Sequence, residues 1–120
     1  GMHDLTDAVE EVVVASGIQS GLCHVSVLHS TAGLVVSSGA EAARQDVMEE
    51  IERIIPTRVD FKHRETASDA GGHVKTAFTG TQLSFAITEG KLDLGADQAI
   101  VFAEFDGPRP RSYFVAVAGD

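Results

Sequence analysis

Three of the five histidines in this 120-residue chain stand beside other groups able to do chemistry. His29 is followed by Ser30 and Thr31, whose hydroxyls can bind a ligand or the backbone. His63 and His73 fall in a polar, glycine-containing stretch with Asp69 between them. Three imidazoles can hold a zinc-like ion and leave a position open for water or substrate. Their spacing matches no compact motif of the H-E-x-x-H kind, so on spacing alone metal binding is one reading among several. A Ser30–His–Asp triad can be assembled from the same residues, and nothing in the spacing selects it. His3 lies at the terminus, and His24 has no evident partner on the more polar face of its strand.

A second constellation runs from Glu104 to Arg111. Both faces of the segment Ala99–Phe105 are apolar until Glu104, which shares a face with Ile100 and Phe102. A carboxylate at the end of a doubly buried strand is costly unless something satisfies it. Arg109 and Arg111 are the nearest cations, and Pro110 between them favours an extended backbone that sends both guanidinium groups to one side. Two readings stay open. The arginines form a clamp for phosphate or carboxylate, or they close internal salt bridges with Glu104 and Asp106.

The elements that must position these groups can be read from periodicity. Thr6–Ala15 has helical spacing at Leu5, Val9, Val12 and Val13, with Asp4 or Thr6 as cap. Leu22–Leu28 alternates, with Cys23, Val25 and Val27 on the drier face and His29 following their parity to its rim. Ala32–Val36 reads as the next strand. Ala40–Ile55 is the clearest helix, with an apolar stripe of Val47, Met48, Ile51, Ile54 and Ile55, a solvated face of Glu49, Glu50, Glu52 and Arg53, and Pro56 as its stop. Residues 58–72 have loop composition, and His73–Phe78 reads as a short helical turn closed by Gly80. Leu83–Thr88, Ala99–Glu104 and Ser112–Ala118 read as strands, linked by turn residues at 89–91 and 106–108. Short turns between successive strands predict an α+β fold, a mostly antiparallel β-sandwich with two main helices beside it.

Composition bounds the function. One domain with one core is expected at this length, and 43% apolar with 22% charged residues is ordinary for a globular chain. A net charge of −9 argues against general nucleic-acid binding, which needs a basic footprint, but a local arginine pair can still hold a small anion. No apolar run approaches the roughly 20 residues of a membrane span. Gly1 before Met2 reads as a cloning scar, and no secretory signal is evident, so a cytoplasmic setting is expected. The single cysteine, Cys23, lies in an apolar strand and is expected to be a buried small hydrophobe.

Six segments, in order, resemble the YjbQ-like family, the secondary thiamine-phosphate synthases. His29-Ser30-Thr31-Ala32-Gly33 is similar to an H-T/S-T-A-G segment, and Asp46 falls in the helix where the family carries an aspartate. Phe61-Lys62-His63 resembles aromatic-x-His, and Asp69-Ala70-Gly71-Gly72-His73-Val74-Lys75 resembles N-A-x-x-H-[LIV]-K. Gly90–Gly95 with Gln98 resembles G-x-L-x-L-G-x-W-Q, and Glu104–Arg111 resembles E-x-D-G-P-R-x-R. The resemblance implies a single domain over residues 1–120, a jelly-roll-like sandwich and a homotrimer. It implies a site of His29, His63 and His73 able to hold a divalent metal, zinc above all. The implied reaction joins a pyrimidine diphosphate to a thiazole phosphate, giving thiamine phosphate and pyrophosphate. Glu104 and Asp106 would join the histidines in catalysis or orient their partners. Ser30, Thr31, Lys75, Gln98, Arg109 and Arg111 would contact the phosphorylated substrate. A metal- or small-anion-binding module without that activity is the alternative. The chain departs from the family pattern in three places: no strand precedes Leu5-Thr6, which would bare a sheet edge; Asp69 replaces Asn; and Asp97 replaces Trp.

Overall fold

The computed structural model describes residues 1–57, 60–63, 65–66 and 68–120. In chain order the elements are β1 (Met2–Asp4), α1 (Thr6–Ser16), β2 (Ser20–Val27), β3 (Ala32–Ser38), α2 (Glu41–Ile54), α3 (Asp69–Thr79), β4 (Gln82–Thr88), β5 (Lys91–Leu92), β6 (Gln98–Glu104) and β7 (Tyr113–Gly119). They form two antiparallel sheets, ordered β1-β6-β3 and β5-β4-β2-β7. The α+β class and the antiparallel pairing follow the sequence expectation.

One core joins both sheets to α1. Cys23, Val25 and Val27 of β2 point into it, as their alternation predicts. They meet Ala32 and Leu34 of β3, Ile87 of β4, Ile100 and Phe102 of β6, and Val9 and Val13 one turn apart on α1. Asp4 caps α1 by accepting from the Thr6 N–H and hydroxyl, at 2.9 and 2.6 Å. A strand does precede Leu5-Thr6, so the sheet edge expected to be bare is occupied. β1 pairs with residues 101–103, and beyond it Leu5 N–H donates to the Ile100 carbonyl while the Ile100 N–H donates to the Thr6 hydroxyl.

The largest difference from the sequence expectation is α3. A loop running to Gly72 and a short turn from His73 were expected, but a full helix of 11 residues starts at Asp69. Part of the expected loop, residues 58, 59, 64 and 67, lies outside the described residues. Glycine lowers helix propensity, which is why Gly71-Gly72 reads as loop. Here packing overrides it. A Cβ at Gly72 would stand 3.2 Å from the Phe105 carbonyl and 3.3 Å from Thr31, so glycine lets α3 lie against the ends of β3 and β6. Gly33 serves the same approach from below, where a Cβ would come within 2.5 Å of the Thr79 hydroxyl. Among the described residues there are three helices, and the third carries His73.

The helix α2 stops before Pro56, and Val47, Met48, Ile51 and Ile55 of the expected stripe are half-buried, but Ile54 is exposed and none of the helix is fully buried. Its firmest tie is an ion pair, Glu52 Oε2 to Lys75 Nζ on α3, at 2.6 Å.

Candidate functional site

Helix α3 is started by a reciprocal pair. The Asp69 N–H donates to the Thr66 hydroxyl at 3.1 Å, while the Thr66 N–H donates to Asp69 Oδ1 at 3.0 Å. The pair folds the chain into a turn just ahead of the helix, whose N-cap position is Ser68 and whose first residue is Asp69. The other carboxylate oxygen, Oδ2, accepts from the Glu65 N–H at 2.8 Å and faces His63 Nε2 at 3.2 Å. Asp69 is only 3% exposed. That burial pushes its pKa up, but the N–H groups of Glu65, Thr66 and Ala70, with His63 nearby, more than offset it and hold the carboxyl below its usual range.

One turn along α3, His73 projects beside His63, their rings edge-on with centroids 5.1 Å apart. His73 Nδ1 donates to the Ser30 carbonyl at 3.2 Å, which fixes the ring and leaves Nε2 as its lone-pair nitrogen. His63, Asp69 and His73 each offer one ligand atom, and these lie within 4.8 Å of one another. They adjoin an open cleft of about 400 Å³ lined by Phe61, Lys62, His63, Ala70, His73 and Val74. Two imidazoles and a carboxylate suit zinc or a similar divalent ion.

The structure places the other predicted site residues around this cluster or away from it. His29 is outside the group of converging ligand atoms. Its Nε2 accepts from the Ser112 N–H at 3.2 Å. Ser30 contributes its carbonyl, not its hydroxyl, to His73. Thr31 is buried and accepts from Arg111 Nη2 at 2.9 Å.

Both arginines of the 109–111 run are engaged with carboxylates. Arg111 meets Glu104 through Nε and Nη2, at 2.6 Å each, a bidentate pair with side chains 11% and 10% exposed. Burial alone would raise the Glu104 pKa, but the Arg111 donors and the Asp106 N–H leave it lowered, and Glu104 in turn raises that of Arg111. Arg109 Nη2 donates to Asp106 Oδ2 at 2.7 Å, yet its side chain stays 47% exposed. Of the two readings the sequence left open, the internal salt bridges are formed, and Arg109 is the arginine still reachable by a ligand. Asp106 Oδ1 accepts from the hydroxyls of Thr66, at 3.0 Å, and Ser68. One buried carboxylate therefore ties the arginine loop to the start of α3.

Two predicted contacts lie elsewhere. Lys75 is 1% exposed and turned to Glu52 of α2, so it is the buried partner of an ion pair whose carboxylate is half exposed. Its position two residues from His73 explains this, because two helical steps rotate the side chain by about 200°. Gln98 sits at the opposite end of β6 from Glu104, about 20 Å away at strand rise, where its Oε1 accepts from the Gly95 N–H. Asp97 lies at that same end and accepts from the Ser38 hydroxyl at 3.1 Å. Sequence reasoning missed Thr66, Ser68 and the Glu52 partner. The T-x-x-D spacing at 66–69 was the available signal for the first of these. His24, which had no evident partner, meets the Ser84 hydroxyl at 2.8 Å across the strands.

Comparison with known proteins follows the same residues from end to end. The model of the family described as UPF0047 protein YjbQ-like matches residues 1–120. A UPF0047 protein of Methanocaldococcus jannaschii is 35% identical over 118 residues, covering 98% of this chain and 84% of that protein. One from Archaeoglobus fulgidus is 37% identical over 112 residues, covering 93% and 86%. The crystal structure of a YbjQ-like protein of unknown function from Sulfolobus solfataricus superposes with a TM-score of 0.95 at 34% identity, covering all of this chain and 88% of that one. A hypothetical protein from Aeropyrum pernix gives 0.93 at 30% identity, covering 99% and 89%.

Proposed function

The chain belongs to the YjbQ-like UPF0047 family, and from that premise we propose that the cleft at His63, Asp69 and His73 is a transferase site for a small phosphorylated substrate. The reaction we assign is the one the sequence resemblance implies, joining a pyrimidine diphosphate to a thiazole phosphate with release of pyrophosphate. The observation that carries the reading is the convergence of three ligand atoms within 4.8 Å beside an open cleft.

This donor set fits a divalent cation, with His63, Asp69 and His73 as its holders and zinc as the first candidate. A bound cation supplies positive charge against the oxygens of a departing diphosphate. The protein's own groups have separable tasks. The Ser30 carbonyl orients His73, and the Thr66 and Glu65 N–H groups orient Asp69. Arg109, tethered at one nitrogen by Asp106, presents the rest of its fork to an incoming phosphate. Glu104 and Arg111 hold the loop that carries it.

The test is direct. Purified protein supplied with zinc and both precursors is assayed for thiamine phosphate, and absence of product while a control synthase works overturns the reaction. One observation favours the second reading, a metal- or anion-binding module without turnover. Both arginines are already neutralised by carboxylates. Zinc and pyrophosphate binding without product would select it.

We also propose that the chain works as a homotrimer in the cytoplasm. The described residues include no helix long and apolar enough to cross a membrane. Ile54 on α2 and Leu28 are 72% exposed and Phe78 is 78% exposed, apolar side chains that a partner copy would cover. Light scattering at three times 12.6 kDa supports the trimer, and a monomer mass overturns it.

A further inference from the structure

Strand β7 stands at the end of the order β5-β4-β2-β7, so only one of its two edges has a strand beside it. Asp120 and Ser20 exchange both backbone hydrogen bonds, at 2.9 and 3.2 Å, which fixes the residues that turn toward β2. Alternation then sends the N–H and C=O groups of Phe114, Ala116 and Ala118 to β2, and those of Tyr113, Val115, Val117 and Gly119 outward. Among the described residues, nothing bonds to the outward groups.

Edge strands are ordinarily blunted by a charge, a proline, a bulge or short length. β7 has none of these. Its seven residues carry no charge and no proline, and they pair with β2 in an unbroken register. The core is open along the same edge. Val115 and Val117 point inward yet are only half-buried, whereas Val25 and Cys23 opposite them on β2 are completely buried.

We infer that β7 pairs edge to edge with β7 of a second copy, antiparallel and centred on Ala116. Outward-turned residues must face outward-turned residues, and this centre is the register that uses the whole strand. Val115 then meets Val117 of the other copy, and Tyr113 meets Gly119. On the exposed face, Phe114, which is 52% exposed, lies opposite the small Ala118, and Ala116 lies opposite itself. The strand runs from large to small along that face, so an inverted copy is its natural complement. Charge favours the same partner. The chain carries 18 acidic residues and a net charge of −9, but β7 and β2 hold no carboxylate, so two copies meet here without repulsion. The contact is two-fold and so is separate from a three-fold one; where trimers form, it joins two of them. It leaves the His63 cleft out of account and stands whether or not that cleft turns over substrate.

The experiment measures mass by sedimentation over a concentration series of the full chain. Wild type is expected at an even number of chains, six where trimers pair. Ala116→Lys sets two ammoniums directly opposite each other and Ala116→Glu two carboxylates, so each alone is expected at half the wild-type mass. Ala116 is exposed, and circular dichroism is expected to show both variants folded. An equimolar mixture of the two is expected to regain the wild-type mass, because an ammonium then faces a carboxylate. Only a strand that pairs with itself at residue 116 gives that recovery. Ala116→Cys adds a covalent readout. Its two Cα atoms would lie about 4.5 Å apart as a non-hydrogen-bonded pair, within disulfide range. Copper–phenanthroline is expected to link this variant into dimers and to leave wild type, whose Cys23 is buried, unlinked.

The inference is overturned if wild type stays at one or three chains throughout the series, or if the charged variants keep the wild-type mass. It is also overturned if their mixture fails to regain that mass, or if Ala116→Cys forms no covalent dimer. Six chains in wild type and three in each charged variant support the edge contact and the trimer together. Three chains in every sample overturn the edge contact and leave the trimer standing.

Discussion

The two arginines of the Arg109-Pro110-Arg111 run meet two carboxylates of one short loop, and the fold puts them to different uses. Arg111 and Glu104 are sealed together, bidentate and nearly buried. Arg109 touches Asp106 through one nitrogen and keeps nearly half of its side chain in solvent. The difference lies in what stands behind each pair. Glu104 ends a strand with both faces in the interior, so water cannot serve it and an arginine must. Asp106 is already held by the Thr66 and Ser68 hydroxyls, so its arginine is freer to serve a ligand. The inner pair is frame, and the outer pair is the one open to solvent.

The sharpest way to break that distinction is to remove the inner arginine. Arg111→Ala leaves Glu104 buried without its partner, and about 3–5 kcal/mol of stability is expected to go, as for other broken buried pairs. Urea denaturation measures it, and a loss below about 1 kcal/mol would place this pair with ordinary surface bridges. Acid tests the same pair. Glu104 and Asp69 both have lowered pKa values, so each contributes stability that is fully present above the unfolded carboxylate range and is lost as pH falls through the folded value. Stability is therefore expected to fall as pH drops below the ordinary carboxylate values of 4.5 and 3.8. Glu104→Gln should flatten that slope, and an unchanged slope would remove Glu104 from the account.

A third ion pair shows that burial of one partner is enough to create asymmetry. Lys75 is interior, but Glu52 is half exposed on α2. Glu52→Gln strands a buried ammonium and is expected to cost roughly 2–3 kcal/mol, the scale of a charged hydrogen bond. Lys75→Met leaves a carboxylate that water can reach, and should cost less than about 1 kcal/mol. Thermal or urea unfolding of the two variants compares them, and equal losses would contradict the burial argument.

Asp69 has two sets of partners, since it holds the turn that leads into α3 and offers a ligand atom beside His63 and His73. Asn has one oxygen where Asp69 uses two to accept from backbone N–H groups, so Asp69→Asn is expected to cost about 1–3 kcal/mol in stability. Zinc affinity should fall at least tenfold, given that even outer partners of a metal site are worth about 10–100-fold. Unaltered zinc affinity would leave Asp69 with a structural task only.

These contrasts also mark how much the sequence discloses. The alternation of Cys23, Val25 and Val27 against a single core is visible because a strand face has a strict period. The apolar run ending at Glu104 exposes a buried carboxylate for the same reason. The start of α3 is hidden because Gly71 and Gly72 oppose a helix locally, and only close packing on Thr31 and Phe105 makes glycine the fitting residue. Lys75 reads as a cation for substrate because its burial depends on where α2 lands, which no local pattern encodes. Gln98 is close to Glu104 in sequence, but strand geometry carries the two to opposite ends. The ordered family motifs bring His63, Asp69 and His73 to notice, but the partners each side chain meets exist only in three dimensions.

The smallest expected effect completes the comparison of the two arginines. Arg109 is half exposed, and its pair with Asp106 is partly screened by solvent, so Arg109→Ala should change stability by only about 0.2–1 kcal/mol. Asp106 keeps two hydroxyl donors without it, which limits the penalty of leaving that carboxylate behind. If the outer arginine is working surface, the same substitution must weaken pyrophosphate binding while zinc affinity stays near wild type. A stability loss as large as that of Arg111→Ala would make both arginines frame. Unchanged pyrophosphate binding would deny the outer pair any part in receiving the anion. Small loss of stability with a clear loss of pyrophosphate affinity is the combination that only a frame-and-surface division produces.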